Sequence, residues 1–253
     1  MKLVGNPFLR AIESGQPQIG LWISLSHRYA AEVVAGAGYD WVLLDTEHAP
    51  NDLSTVLSQL QVFAAYDTTP IVRPAWNDTV LVKRLLDIGS PGLLFPMVQT
   101  AQEARRAVAA TRYPPNGVRG VGGTTRANQF GRVEDYFSRI ESETAVLIQA
   151  ETLTTLEHID ALTDIDGVDG VFFGPSDISA DFGLIGQPGH PEVKNAVIDG
   201  IKKVRAAGKS AGVMTLDDGL IAEYRDAGAN FLSIGLDTNL LAKAVDALAA
   251  KWR

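Results

Sequence analysis

The sequence predicts a (β/α)₈ barrel, and three observations carry that reading. About eight short apolar runs alternate with about eight segments of helical periodicity along 253 residues. The runs are continuous rather than alternating, as expected of parallel strands covered on both faces. No composition break or linker interrupts the series, so a single barrel domain spanning residues 1–253 is expected. A doubly wound open sheet uses the same units and is the alternative.

Asn6 as N-cap and Pro7 at the first helical position open a short helix through Phe8, Leu9 and Ile12, which Gly15-Gln16-Pro17 ends. The first strand is Ile19–Ile23, and Ala30, Ala31, Val33, Val34 and Ala37 then mark a helix closed by Gly38. Strand two, Trp41–Leu44, ends in Asp45-Thr46-Glu47-His48. A helix from about Asp52 to Ala64 follows, with Leu53, Val56, Leu57 and Leu60 at helical spacing. Pro70–Val72 is strand three, ending in Arg73-Pro74, and Leu81, Leu85 and Ile88 give the next helix its inward face. Strand four, Gly92–Phe95, leads into a helix over Ala101–Thr111.

Between Arg112 and Glu134 neither pattern continues. A long excursion after strand four, inside a compact domain, is more often functional than accidental. Ala145–Ile148 and Val168–Phe173 are strands five and six, joined by a helical segment. A Gly- and Pro-rich loop, Asp181–Pro191, precedes a helix ending at Ala207-Gly208. Ala211–Met214 and Phe231–Gly235 complete the strands, and the last helix, about Asn239 to Lys251, gathers Leu240, Leu241, Ala244, Val245 and Leu248 on one face.

Composition narrows the function. A net charge of -8 argues against a general nucleic-acid or anionic-membrane binder. The absence of cysteine removes disulfides, thiolate zinc sites and a cysteine nucleophile. The Met1–Pro7 segment has no signal-peptide core and no apolar run is long enough to span a bilayer, so a cytoplasmic location is expected.

Barrel active sites lie at the C-terminal ends of the strands. The residues there are Trp22, Asp45, Glu47, His48, Arg73, Gln149, Glu151, Gly174, Ser176, Asp177 and Thr215. Glu151 and Asp177 follow neighbouring parallel strands, so they can converge on one edge as ligands of a hard divalent cation. The bland alternative is that each acid caps the helix after it. With few protein ligands and no cysteine, such a site suits Mg²⁺ or Mn²⁺ better than a closed zinc centre. His48, a histidine at a strand end, suits a general base, against the alternative of a loop histidine bonded to backbone. Arg73 suits a carboxylate or phosphate, or else pairs with Asp45 or Glu47.

Other chemistries lack their residues. No lysine falls at a strand C-terminal end, which leaves a Schiff-base mechanism without a nucleophile. No Gly-x-Gly-x-x-Gly follows a strand. Asp237 after strand eight would repel a phosphate bound there. A 2-oxo acid chelated by a divalent ion, with Arg73 on its carboxylate or enolate, fits carbon–carbon bond making and breaking.

These residues match a known family. Gly20-Leu21-Trp22, Asp45-Thr46-Glu47-His48-Ala49-Pro50, Arg73-Pro74 with Trp76-Asn77-Asp78, and Thr111-Arg112-Tyr113-Pro114-Pro115 carry the first half of the match. Arg119-Gly120-Val121-Gly122, Gln149-Ala150-Glu151-Thr152, Gly167–Phe172, Gly174-Pro175-Ser176-Asp177 and Gly235-Leu236-Asp237-Thr238 carry the rest. The chain resembles the metal-dependent (class II) pyruvate aldolases of the HpcH/HpaI family from about Ile19 to Arg253. The resemblance implies a TIM barrel acting as an aldehyde-lyase on pyruvate or a related 2-oxo acid and an aldehyde. It implies Glu151 and Asp177 on Mg²⁺, Mn²⁺ or Co²⁺, and Arg73 on the oxo acid. Trp22, Gln149, Gly174, Ser176 and Leu216 would complete the substrate contacts. His48 would be the base with Asp87 as its partner. Homo-oligomers, typically hexamers with the last helix exchanged between neighbours, are also implied. Because the C-terminal end of its helix points away from the mouth, Asp87 is expected to reach His48 of a neighbouring subunit.

The sequence departs from the family at Ala150, where a larger aliphatic residue is usual, and over Gly123–Phe130; both departures bear on the aldehyde. Two rivals remain: a lyase acting on acyl-CoA thioesters, as in citrate lyase β relatives, and a non-catalytic barrel that binds 2-oxo acids.

Overall fold

The computed structural model describes residues 1–253 and joins eight parallel strands in sequence order into a closed barrel. They are β1 (Gln18–Ile23), β2 (Trp41–Asp45), β3 (Thr69–Arg73), β4 (Gly92–Phe95), β5 (Ala145–Ala150), β6 (Gly170–Phe173), β7 (Ser210–Met214) and β8 (Phe231–Leu236). Strand β8 returns to β1 through the pairs Gln18–Phe231 and Ile19–Leu232, with a register shift between Gly20 and Trp22. That closure removes the open-sheet alternative.

The helices are α1 (Pro7–Glu13), α2 (Arg28–Ala35), α3 (Leu53–Phe63), α4 (Thr79–Asp87), α5 (Ala101–Thr111), α6 (Tyr136–Arg139), α7 (Leu153–Glu157), α8 (Ile159–Thr163), α9 (Pro175–Asp181), α10 (Pro191–Ala206), α11 (Asp218–Asp226) and α12 (Asp237–Lys251). Several of their starts follow from side-chain caps. Asn6 Oδ1 accepts the Leu9 amide at 3.1 Å, and capping boxes open α3 at Asp52 and α5 at Thr100. No helix is long and apolar enough to cross a membrane.

Side chains alternate between two cores. Trp41, Leu43, Ile71, Leu94, Leu147, Phe172 and Phe231 point into the barrel, and Phe8, Leu9 and Ile12 of α1 join them as a plug at its N-terminal end. The intervening residues, such as Val42, Leu44, Val72, Ile148 and Ala150, pack outward against the helices. Glycines make room for the largest inner rings. A Cβ on Gly20 would overlap the Trp41 indole, and one on Gly212 would overlap the Phe231 ring.

Several expectations change. Strand β5 runs on through Gln149 and Ala150, while β6 begins only at Gly170. Two short helices, α7 and α8, replace a single one between them. Val33 is exposed because α2 buries Ala31 and Ala35 instead. Helix α4 buries Val82, Leu85 and Leu86, so its inward stripe lies one residue beyond the Leu81 and Ile88 face. Residues 112–135 form neither helix nor strand. This segment is nonetheless anchored: Arg126 donates to the Ile88 and Leu60 carbonyls at 2.6 and 3.2 Å. In α12, Leu240, Leu241, Val245 and Leu248 are all exposed.

Candidate active site

The two-residue period of the strands builds the site as the layer above the inner core. Asp45 follows Leu43, Arg73 follows Ile71, Gln149 follows Leu147 and Gly174 follows Phe172. These residues line a cavity of ≈ 450 Å³ at the C-terminal mouth, together with Trp22, Ser24, His48, Ser176, Asp177, Met214, Leu236 and Thr238.

Arg73 and Asp45 form its base. The guanidinium donates from Nε to Asp45 Oδ1 at 2.8 Å and from Nη2 to Oδ2 at 2.7 Å, a two-pronged fork. It also lies 4.8 Å from the centre of the Trp22 ring, whose Nε1 donates to Asp45 Oδ2 at 3.3 Å. Both partners of the fork are buried. Burial pushes the Asp45 carboxyl up, but the bonds and charge of Arg73 outweigh it and hold it below the ordinary range. Nη1 points the other way, 3.4 Å from Gln149 Oε1 and 2.8 Å from Glu47 Oε2. The contact to Glu47 is close in distance but not aligned as a hydrogen bond, since Oε2 accepts none.

The β2 end wraps around Asp45. Its Oδ1 accepts the Glu47 amide at 3.0 Å, and Thr46 donates through Oγ1 to the Arg73 carbonyl at 2.6 Å. That turn sets Glu47 toward Glu151 and Asp177 and leaves the His48 ring exposed, with no hydrogen bond inside the chain.

Glu151 sits just past β5 and is buried. Its Oε1 accepts the Met97 amide at 2.6 Å, and Gln149 Nε2 donates to Oε2. Met97 holds φ 51, a left-handed conformation that aims its N–H at the carboxylate. Burial pushes Glu151 up to about 7, and the charges of Glu47 and Asp177 add to the rise. The helix-capping alternative fails for Glu151, while Asp177 does stand in the first turn of α9. Thr152 caps α7, and α9 has no side-chain cap.

The chemistry of this donor set fits a divalent ion. Three carboxylates, Glu47, Glu151 and Asp177, are mutually coupled, with Arg73 the one guanidinium beside them. Gly174 packs directly on Glu151, where a Cβ would lie 3.2 Å from the Glu151 Cβ. No three His, Asp or Glu side chains converge tightly enough to complete a shell, as suits an ion that keeps positions for water and substrate.

Two expected residues lie elsewhere. Leu216 is exposed beyond β7 and is not part of the cavity wall. Asp87 closes α4, where Arg119 Nη2 donates to its Oδ1 at 3.0 Å, and it does not meet His48 of its own chain. Ala150 packs among Ile159, Val171 and Phe173 in the outer core, so its small size acts on helix packing rather than on the cavity. The Met97 amide and the walls at Ser24, Phe172, Met214, Leu236 and Thr238 were not singled out by the sequence.

The HpcH/HpaI aldolase/citrate lyase family model matches residues 18–244. The chain belongs to this family. Within the family it is 50% identical over 248 residues to the 4-hydroxy-2-oxo-heptane-1,7-dioate aldolase of Salmonella dublin, covering 98% of this chain and 94% of that one. A solved HpcH/HpaI aldolase/citrate lyase family protein from Burkholderia cenocepacia J2315 superposes with a TM-score of 0.93 at 36% identity, covering 97% of this chain and 98% of that one. An HpcH/HpaI aldolase from Desulfitobacterium hafniense DCB-2 gives 0.89 at 28% identity, covering 98% and 96%. The identity runs the length of the barrel, and the chain is an aldolase, an enzyme of the aldehyde-lyase class.

Proposed function

We propose that this aldolase cleaves and forms 4-hydroxy-2-oxo acids through the enolate of pyruvate or a related 2-oxo acid, with an aldehyde as second partner. The observation that carries the reading is the excess of carboxylate over guanidinium at the mouth: Glu47, Glu151 and Asp177 face one Arg73 that Asp45 already engages. Glu151 and Asp177 would hold Mg²⁺, Mn²⁺ or Co²⁺. When bound, such an ion acts as a Lewis acid that polarises a 2-oxo group and acidifies the adjacent C–H.

The chain's own residues do the rest. Asp45 fixes the Arg73 plane, so that Nη1 is presented to the oxo acid without reorganisation. The Gln149 amide and the Gly174–Ser176 backbone hold the carboxylate, and Trp22 closes the side. In cleavage, His48 removes the 4-hydroxyl proton. The C3–C4 electron pair passes into the enolate, the aldehyde leaves, and C3 then takes up a proton. Addition is the reverse.

His48 lacks an orienting partner in its own chain, and Asp87 Oδ2 makes no hydrogen bond in its own. The two needs are met if Asp87 of a neighbouring subunit reaches His48. That places the site at a homo-oligomer interface, for which a hexamer with α12 exchanged is the assembly we favour. An acyl-CoA substrate finds less support, because Arg73 is the only Lys or Arg lining the cavity.

The test is metal-dependent exchange of the pyruvate methyl protons in D₂O together with cleavage of a 4-hydroxy-2-oxo acid. Both should vanish on exhaustive chelation and return with Mg²⁺ or Mn²⁺. Full activity in the chelated enzyme overturns the metal reading.

A further inference from the structure

The cavity has two unlike sides. Arg73, Gln149, Gly174 and Asp177, from β3 to the end of β6, are the polar side on which the oxo acid is placed above. Ser24, Met214, Leu236 and Thr238, from the ends of β1, β7 and β8 and the start of α12, make the other wall. An aldehyde attacked by the enolate has to stand between the enolate and this second wall.

The second wall is built over the closing seam of the barrel. The β8–β1 ladder shifts register between Gly20 and Trp22, and the strands end at Leu236 and Ile23. Beyond them a side chain takes over the pairing. Asp237, buried at the first position of α12, accepts the Ser24 amide on Oδ1 at 2.9 Å and the Leu25 amide on Oδ2 at 3.0 Å. Its Oδ1 also accepts the Thr238 amide at 2.7 Å. No lysine, arginine or histidine pairs with it, so three backbone N–H groups carry the whole charge.

The segment held this way is bent. Ser26 has φ 54 and donates through Oγ to the Ser24 carbonyl at 3.1 Å before α2 begins at Arg28. A serine stays in the left-handed region only where its surroundings fix it there. Of the three residues whose amides Asp237 accepts, Ser24 and Thr238 line the cavity.

We infer that Asp237 is a positioning residue for the aldehyde: its carboxylate clasps the β1 exit to the start of α12 and so fixes the wall against which the acceptor is held. The inference rests on the aldolase reading above. Asp237 touches neither the metal-side acids nor Arg73 or Gln149, so the clasp serves the addition step and not the enolisation of the donor.

The experiment measures both half-reactions on one preparation of the metal-loaded enzyme. Asp237→Asn sets an amide NH₂ against a backbone N–H. The expected result is a KM for the aldehyde raised by about tenfold at saturating pyruvate. Pyruvate methyl-proton exchange should stay within about twofold of wild type. Asp237→Glu keeps the charge on a longer arm, should show the same split with a smaller shift, and supplies the test if the Asn variant does not fold. A folded variant with an unchanged aldehyde KM overturns the inference, as does an equal loss of exchange and addition, which is what general destabilisation would give. A wild-type enzyme without pyruvate exchange would instead bring down the aldolase reading, and that control separates the two failures.

Discussion

Asp45 and Arg73 show how much of the site depends on a pair that does no chemistry on its own. The fork is buried, so removing one partner leaves the other charge uncompensated. Asp45→Asn should cost about 3 kcal/mol of stability, read by urea unfolding, and should raise the KM for pyruvate because Nη1 loses its fixed direction. Glu151 yields a prediction of opposite sense. Its carboxyl is pushed up from 4.5 to about 7 in the folded protein. Its contribution is therefore complete below the unfolded value and is lost as pH rises through the folded one. The melting temperature of the metal-free enzyme should fall between about pH 5 and about pH 8. Glu151→Gln should flatten most of that slope, leaving the part due to Asp169, which burial raises to about 6. Saturating Mg²⁺ should reverse the trend, since the ion requires the ionised carboxylate. At this scale the sequence was most legible where a polar side chain stands at a strand end, as with His48, Arg73, Glu151 and Asp177. The Met97 amide was hidden because a main-chain N–H at φ 51 leaves no mark in residue type. Asp237 was visible as a charge after strand eight, but the backbone amides it accepts were not.

Strands and helices were recoverable to different depths. The cap at Asn6 located its helix start, because a cap is a local bond between neighbours in the chain. Inward stripes were less secure. In α4 both Leu81/Leu85/Ile88 and Val82/Leu85/Leu86 satisfy helical spacing, and only packing against the barrel decides between them. The strands are apolar on both faces, so their sequences announce burial without saying which residues point inward. Glycine supplies the missing contrast. Gly212 leaves the space that the Phe231 ring fills, and Gly20 does the same for Trp41. Gly212→Ala should therefore destabilise by about 1–3 kcal/mol through overpacking, measured by thermal or denaturant unfolding. The Ala substitution at the exposed Gly123, which has nothing nearby to meet, serves as the control and should leave stability nearly unchanged.

The barrel as a whole was legible because its repeating unit is written along the entire chain; the assembly was not. Leu240, Leu241, Val245 and Leu248 stand exposed along α12. The shared-site proposal makes a prediction at this scale. His48→Ala and Asp87→Ala chains, each inactive, should regain partial activity when co-assembled, since some interfaces then carry both native residues. No recovery in verified mixed oligomers counts against the shared site, and an active monomer rules it out.

The seam between β8 and β1 has a further consequence, for the way the molecule is made. Gln18 pairs with Phe231, so one of the first strands to leave the ribosome waits for the last. During almost all of its synthesis the growing sheet carries two bare edges, β1 and whichever strand is newest, both apolar on two faces. Closure is a single late event that draws together the two ends of the sequence. Until it happens the nascent chain is a template for pairing with its neighbours on the polysome, and its yield in a cell depends on how long that interval lasts.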